Sequence, residues 1–295
     1  MKKFLFTVLA AATAFAAMAQ TDIWCWQDGV ATKKAATDSV TLAKPASLGD
    51  ILVWKDGVSA KLAATDSITF TNPYLENGHD YVDLGLTSGT KWATMNVGAT
   101  RPEEYGNYYA WGETTTKEIY NWSTYLDGNI SSNSDCGTDK DALKGVTDIA
   151  GTQYDAAYAN WGGKWRMPTY DQQTELLNEC YWVWTENYNG STVKGYIAYK
   201  AKTSSDKGKK IYSSGIPSAS YSLSDAHIFL PAAGYRNYGG LGGAGSFGDY
   251  WSSSLYTDDP YSAWHIYFDS DYVYGNFGDD RRFYGRSVRA VILGE

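Results

Sequence analysis

Beyond its hydroxyls and carboxylates, this 295-residue chain has three histidines and three cysteines with which to do nucleophilic, redox or metal chemistry. None of them falls at a CxxC or HxxxH spacing, so no local motif builds a zinc site or a dithiol centre. A Ser/His/Asp set can be drawn from Ser253, His265 and Asp269. Ser253, however, lies in a serine-rich strand without the glycine elbow that exposes a nucleophile. Aspartate is abundant, yet no pair is singled out for glycosidase-type acid/base work. The chain therefore reads as non-catalytic, with no cofactor and no metal.

The elements that would position these residues are β-type. Twenty-five Tyr, 12 Trp and 30 Gly describe a β-rich protein with many turns and amphipathic surfaces. The formal charge of −8 repels phosphate backbones and argues against nucleic-acid binding.

The first residues carry an export signature. Lys2 and Lys3 form a basic region, Phe4 to Ala17 an apolar one, and Ala17-Met18-Ala19 a small-x-small cleavage site. Residues 1–19 are expected to be removed, taking two lysines and leaving a charge of −10. The residue directly after the site is Gln20 rather than cysteine, so no lipobox is expected, and no later stretch is long enough to span a bilayer. The expected location is periplasmic, cell-surface or extracellular. Export admits disulfides, and an odd count allows at most one bridge within the chain. Cys136 with Cys180 is the expected pair; three small buried thiols are the alternative.

Residues 20–73 contain an internal repeat. DIWCWQDGVATKKAATDSVTL (22–42) and DILVWKDGVSAKLAATDSITF (50–70) match at a constant offset of 28. Each copy has a β-type run, an Asp-Gly turn signal and a second β-type run, predicting two small hairpin units. One hairpin is marginal in water, so the copies are expected to pack together or against another domain. They read as a spacer or as an attachment module. Residues 74–78 read as a linker.

One domain is expected over 79–295. Tyr81 to Leu86 alternate like a strand, and Lys91-Trp92-Ala93 follows a Ser88-Gly89 turn. Residues 155–161 suit a helix that Gly162-Gly163 ends. Thr169 with Gln172 forms a capping box ahead of a second helix reaching Leu176, Leu177 and Cys180. Short strands are predicted at 228–230, 250–254, 264–268 and 287–293, giving an α+β class.

Six segments then carry a resemblance: DYVDLGLTSGTKWATMNVGA (80–99), EYGNYYAWGE (104–113), WGGKWRMPT (161–169), FLPAAGYR (229–236), YWSSS (250–254) and GRSVRAV (285–291). In order and spacing they resemble the Fibrobacter succinogenes major paralogous domain family, close to the DUF1566 proteins. The resemblance implies a C-type lectin-like fold of the formylglycine-generating-enzyme branch, with long loops forming a ligand face. Trp165, Trp251 and Trp264 are core candidates, Pro168 and Gly234 shape turns, and Arg166 and Arg289 are expected as paired structural charges. Formylglycine-generating activity would need a reactive cysteine pair late in the domain, where none occurs. The Glu-Pro-Asn or Trp-Asn-Asp runs of lectin calcium sites are absent too. A formylglycine-generating-type or hydrolytic enzyme on this fold, or a fimbria-tip structural component, stays open beside the binding-protein reading.

The window 256–286 has six Tyr and six Asp in 31 residues, and no Lys, Glu, Gln or Met. Trp264, Ile266 and Phe268 alternate with His265, Tyr267 and Asp269, predicting a strand with an apolar face inward and a polar face outward. The expected ligand-binding residues are Tyr256, Asp258, Asp259, Tyr261, His265, Tyr267, Asp269, Asp271, Tyr272, Tyr274, Asn276 and Phe277, on one contiguous face that takes a protein or a glycan. Asp279-Asp280 beside Arg281-Arg282 reads as a self-neutralised patch. Every residue of the window except Trp264 has a codon ending in a pyrimidine. The pattern is similar to the variable region of diversity-generating-retroelement targets, where adenines of AAC-type codons are rewritten. A fixed Tyr/Asp-rich ligand loop accounts for it equally, and both origins stay open.

Overall fold

The computed structural model describes residues 74–210, 217–275 and 280–294, together with six strands before residue 70. The expected leader at 1–19 lies outside the described residues, as do Asn276 and Phe277. The chain divides into two compact units at Leu75/Glu76.

The first unit contains both repeats. Repeat one supplies β1 (Ile23–Gln27), β2 (Val30–Lys34) and β3 (Ser39–Leu42); repeat two supplies β4 (Ile51–Lys55), β5 (Val58–Leu62) and β6 (Ser67–Thr69). Each Asp-Gly step joins a hairpin, β1-β2 and β4-β5. The third strands are exchanged: β6 pairs with β1, and β3 pairs with β4. The exchange keeps one register, because Trp26 faces Ser67 and, 28 residues on, Trp54 faces Ser39. Each repeat therefore completes the three-stranded sheet of the other.

Strand β7 (Leu75–Glu76) falls on the division between the units, and the second unit holds β8 (His79–Val82), β9 (Lys91–Ala93), β10 (Cys180–Thr185), β11 (Gly195–Lys200) and β12 (His227–Pro231). They are followed by β13 (Tyr235–Asn237), β14 (Gly240–Gly242), β15 (Phe247–Leu255), β16 (Ala263–Asp269), β17 (Val273–Gly275) and β18 (Val291–Ile292). These form four small sheets, ordered β18-β9-β8-β7, β10-β11-β12, β13-β14 and β15-β16-β17. Among the described residues two α-helices, α1 (Ala156–Trp161) and α2 (Tyr170–Glu179), accompany them, so the domain is mostly β-sheet with few helices. Among the described residues no helix is long and apolar enough to cross a membrane.

The helices start and stop where local chemistry requires. Asp155 caps α1 by accepting from the amides of Ala157 and Tyr158, and Gly162 ends it at φ +64°. Thr169 and Gln172 close the capping box of α2 in both directions. Leu176 and Leu177 of α2 are buried in a core shared with β10–β12, Ile266 and Phe268. A second core gathers Trp111, Trp165, Trp251, Val288 and α1.

Two expectations are corrected here. Cys136 and Cys180 are both free thiols rather than a bridge. They belong to different neighbourhoods: Cys180 is buried with Leu176 and Trp182, while Cys136 packs beside Tyr125, Ile130 and Phe283. Likewise, β16 is covered on both faces near its start. Ile266 and Phe268 enter the core as expected, but Trp264 is only half-buried, against Tyr170 and Tyr256. His265, expected to face outward, is buried at 2% exposure. The cover is the segment 280–286, whose Asp280 O accepts from the Ala263 amide and whose Arg282 amide donates to Tyr261 O.

Candidate recognition surface

The tyrosines of the window do not form one continuous face. Tyr256, Asp258, Asp259 and Tyr261 lie in the connection between β15 and β16, while Asp271, Tyr272 and Tyr274 lie beyond the other end of β16. The seven residues of β16 hold the two groups apart by about 20 Å of extended chain. Asp258 and Asp271 are exposed; Tyr256, Asp259, Tyr261, Tyr267 and Asp269 are half-buried.

The β16-β17 end carries the most accessible aromatic groups of the set. Tyr272 and Tyr274 are 38% and 45% exposed, with ring centres 4.8 Å apart. Asp269 shapes the turn beneath them, its Oδ1 accepting from the amides of Asp271 (2.9 Å) and Tyr272 (3.1 Å). Tyr274 faces Tyr267 directly across the ladder. Burial and the neighbouring Asp269 carboxylate push the Tyr267 phenol up to about 12, so it stays a neutral donor and acceptor.

From Tyr267 a belt of rings runs on through residues the sequence did not single out. Phe247 lies 5.5 Å from Tyr267, Tyr235 stacks 5.9 Å from Phe247, and Tyr284 lies 5.4 Å from Tyr235. Phe283 continues it at 4.7 Å from Tyr284. Phe247 and Tyr235 sit outside the Tyr/Asp-rich window, on strands whose partners are fixed only by the fold. The alternation of FGDYW held the one available signal for Phe247.

Beneath the belt lies a charged interior. The three arginines Arg282, Arg286 and Arg289 are all fully buried. Arg282 Nη2 meets Asp141 Oδ2 at 2.7 Å, with the guanidinium over the rings of Trp111 and Tyr125. Arg286 Nε meets Asp249 Oδ2 at 2.8 Å, and its Nη2 bonds Asp280. Arg289 meets no carboxylate among the described residues: it donates to Asn96 Oδ1 and to the carbonyls of Ala93 and Phe229. The expected pairing of Arg289 as an ion-pair member is thus replaced by a carbonyl cage. Burial lowers its guanidinium to about 10, leaving it charged at neutral pH. Of the expected Asp279-Asp280/Arg281-Arg282 patch, Asp280 pairs with Arg286 and Arg282 with the distant Asp141, so the two described partners do not neutralise each other; Asp279 lies outside the described residues.

Asp249, His265 and Asp280 bring one donor atom each within 4.8 Å of one another, a grouping of metal-ligand type. His265 Nε2 lies 3.6 Å from Asp249 and 3.7 Å from Asp280. Arg286 faces both carboxylates of the group, Asp249 through Nε and Asp280 through Nη2. Burial raises the Asp249 carboxyl to about 7 even against the pull of Arg286. Burial, with Arg286 beside it, holds His265 well below its ordinary value. The Ser253/His265/Asp269 set is not assembled. Ser253 is buried, His265 faces Asp249, and Asp269 is committed to its turn four residues along the strand. Ser262 and His265 of the Tyr/Asp-rich window are interior rather than displayed.

No family model, curated protein or solved structure matches the chain. The surface and its chemistry stand on the geometry alone.

Proposed function

We propose that this chain is an exported, non-catalytic binding protein whose second unit, a C-type lectin-like domain, presents a Tyr/Asp-rich surface to a protein or glycan. One observation carries the reading: Tyr272 and Tyr274 stand exposed as a contacting pair on a turn that Asp269 holds in shape. Tyrosine offers large contact area with few rotatable bonds, and a pre-shaped turn lowers the ordering cost of binding. The belt through Tyr267, Phe247 and Tyr235 extends that surface. The paired repeats of the first unit are the attachment element in this reading.

The test is a screen of the exported chain against cell-surface proteins and glycans, repeated with Tyr272→Ala and Tyr274→Ala. Each substitution should weaken the partner found by about 30-fold, with the melting temperature unchanged. A partner that stays bound to both variants, or that follows residues 22–70 alone, would replace this surface with the repeats. A near-copy of the coding segment for 251–291 beside a reverse transcriptase gene would make the surface a diversified one.

A further inference from the structure

Tyr238 is the most exposed large side chain with apolar surface among the described residues, at 67%. It occupies the first position of the two-residue turn Tyr238-Gly239 joining β13 to β14, at φ +53°. Asparagine or glycine takes that left-handed position with little strain, whereas tyrosine does not. The turn is pinned: the Tyr238 amide donates to Tyr120 O at 3.0 Å, and the Gly239 amide to Asn237 O at 2.8 Å. Strain kept at a site where the ring gains little burial points to a use for the ring in solvent.

The ring borders a cleft of about 590 Å³, within the size range of small-molecule sites. Its aromatic lining is Trp122, Tyr238, Phe283 and Tyr284, and its polar lining is the run 131–134 with Arg281. Phe283 is fixed by burial, with Trp122 4.8 Å and Tyr238 6.2 Å from its ring centre. The Trp122 indole is locked by donating to Asn133 Oδ1 at 2.9 Å. Ser132 and Ser134 present hydroxyls 2.8 Å apart. Arg281 is the single charged group of the lining. Unlike its buried neighbour Arg282, it is exposed and makes no ion pair among the described residues.

We propose that this cleft, at the end of the ring belt away from Tyr272 and Tyr274, is a second binding site, for a saccharide residue that carries a carboxylate. Aromatic faces receive the C–H face of a sugar ring, serine and asparagine groups match its hydroxyls, and the Arg281 fork matches a carboxylate. The site is independent of the Tyr272/Tyr274 surface, and either can fail without the other.

The experiment titrates the full chain with two matched pairs, 3′-sialyllactose against lactose and tri-galacturonate against maltotriose, by calorimetry or ligand-observed NMR. At least one acidic member should bind with a Kd below about 1 mM, and at least tenfold more tightly than its neutral match. Tyr238→Asn removes the ring but suits the turn, so the variant should keep or raise its melting temperature while losing about tenfold or more in affinity. Arg281→Gln should erase the preference for the acidic member. Binding by neither acidic saccharide, equal binding within both pairs, or full binding by Tyr238→Asn would each overturn the proposal. So would loss of binding in Tyr272→Ala/Tyr274→Ala with Tyr238→Asn unaffected, since the ligand would then sit at the β16-β17 turn.

Discussion

Arg286 reaches from the C-terminal segment to the buried carboxylate of Asp249 on β15, Nε to Oδ2 at 2.8 Å, while its guanidinium lies 4.1 Å above the indole of Trp251. This pair ties the GRSVRAV segment to β15, the strand that pairs with β16. Removing one member leaves the other charge buried, so Arg286→Ala should cost about 3–5 kcal/mol in urea denaturation. Arg286→Lys should restore little, because an ammonium cannot bond Asp249 and Asp280 while stacking on Trp251. Full stability in Arg286→Ala would mean that Asp249 is solvated in the folded chain.

The same cluster makes two opposed pH dependences. Asp249 titrates near 7 when folded and in the ordinary carboxylate range when unfolded. Its contribution is present at low pH and is lost as pH rises toward 7. His265 is held well below 6.5 when folded, so the unfolded chain takes up the proton first and stability falls as pH drops below 6.5. Among the described residues, Asp280 and Arg286 also face the pair. Asp249→Asn should therefore lose stability on going from pH 7 to 5 more steeply than the parent, and His265→Gln less steeply. The slopes should differ from the parent by up to about 1.4 kcal/mol per pH unit. Denaturation midpoints at the two pH values check both signs, and parallel slopes in all three proteins would refute the coupling.

How far the sequence reveals this arrangement depends on whether the signal is local. The Thr169/Gln172 box and the Gly162 stop are local, and both helices begin and end accordingly. Strands β10 and β11 escape because α2 runs into β10 at Cys180 without a glycine or proline between them. The alternation in 264–268 identifies the core face through Ile266 and Phe268, but says nothing of a second layer over His265. That layer comes from residues 280–286, and the acids and arginines there choose partners as distant as Asp141. Nothing in residue order marks such pairings, so the contiguous tyrosine face expected from composition splits around β16.

Phe268 sits on Gly248, its partner across the β15-β16 ladder, so closely that a Cβ at 248 would meet the ring at 2.0 Å. Phe268→Ala should cost about 3–5 kcal/mol as a buried large-to-small change. Gly248→Ala should cost about 1–3 kcal/mol through overpacking. Half-buried Trp264→Ala should cost less than Phe268→Ala, about 1–2 kcal/mol. A reversed order of the two aromatic variants in thermal melts would restore Trp264 as the core residue of the strand.

Both described cysteines should behave as thiols. Alkylation of the unfolded, non-reduced chain followed by peptide mapping should label Cys136 and Cys180 in full. In the native protein Cys180, fully buried and with its thiol pushed far up by burial, should stay unlabelled. Half-buried Cys136, raised less strongly, should react slowly. A mass-matched peptide pair linked through 136 and 180 would contradict the separation of their surroundings.

The exchange of third strands in the first unit predicts that neither repeat stands alone. The β4-β5 hairpin obtains its third strand from β3, and β1-β2 obtains its own from β6, in equivalent registers. A two-stranded hairpin is marginal in water and gains independent stability from a third strand. Deleting residues 20–49 should therefore expose 50–70 to limited proteolysis and fast amide exchange, and deleting 43–73 should do the same to 22–42. The second unit has hydrophobic cores built from its own residues, so its thermal transition should be unchanged in both deletions. Adding the two halves in trans, residues 20–46 and 47–73 as separate peptides, should restore amide protection in both, because each supplies the strand the other lacks. Protection of either half by itself would show that a repeat folds as a closed unit and that the exchange is not what stabilises it.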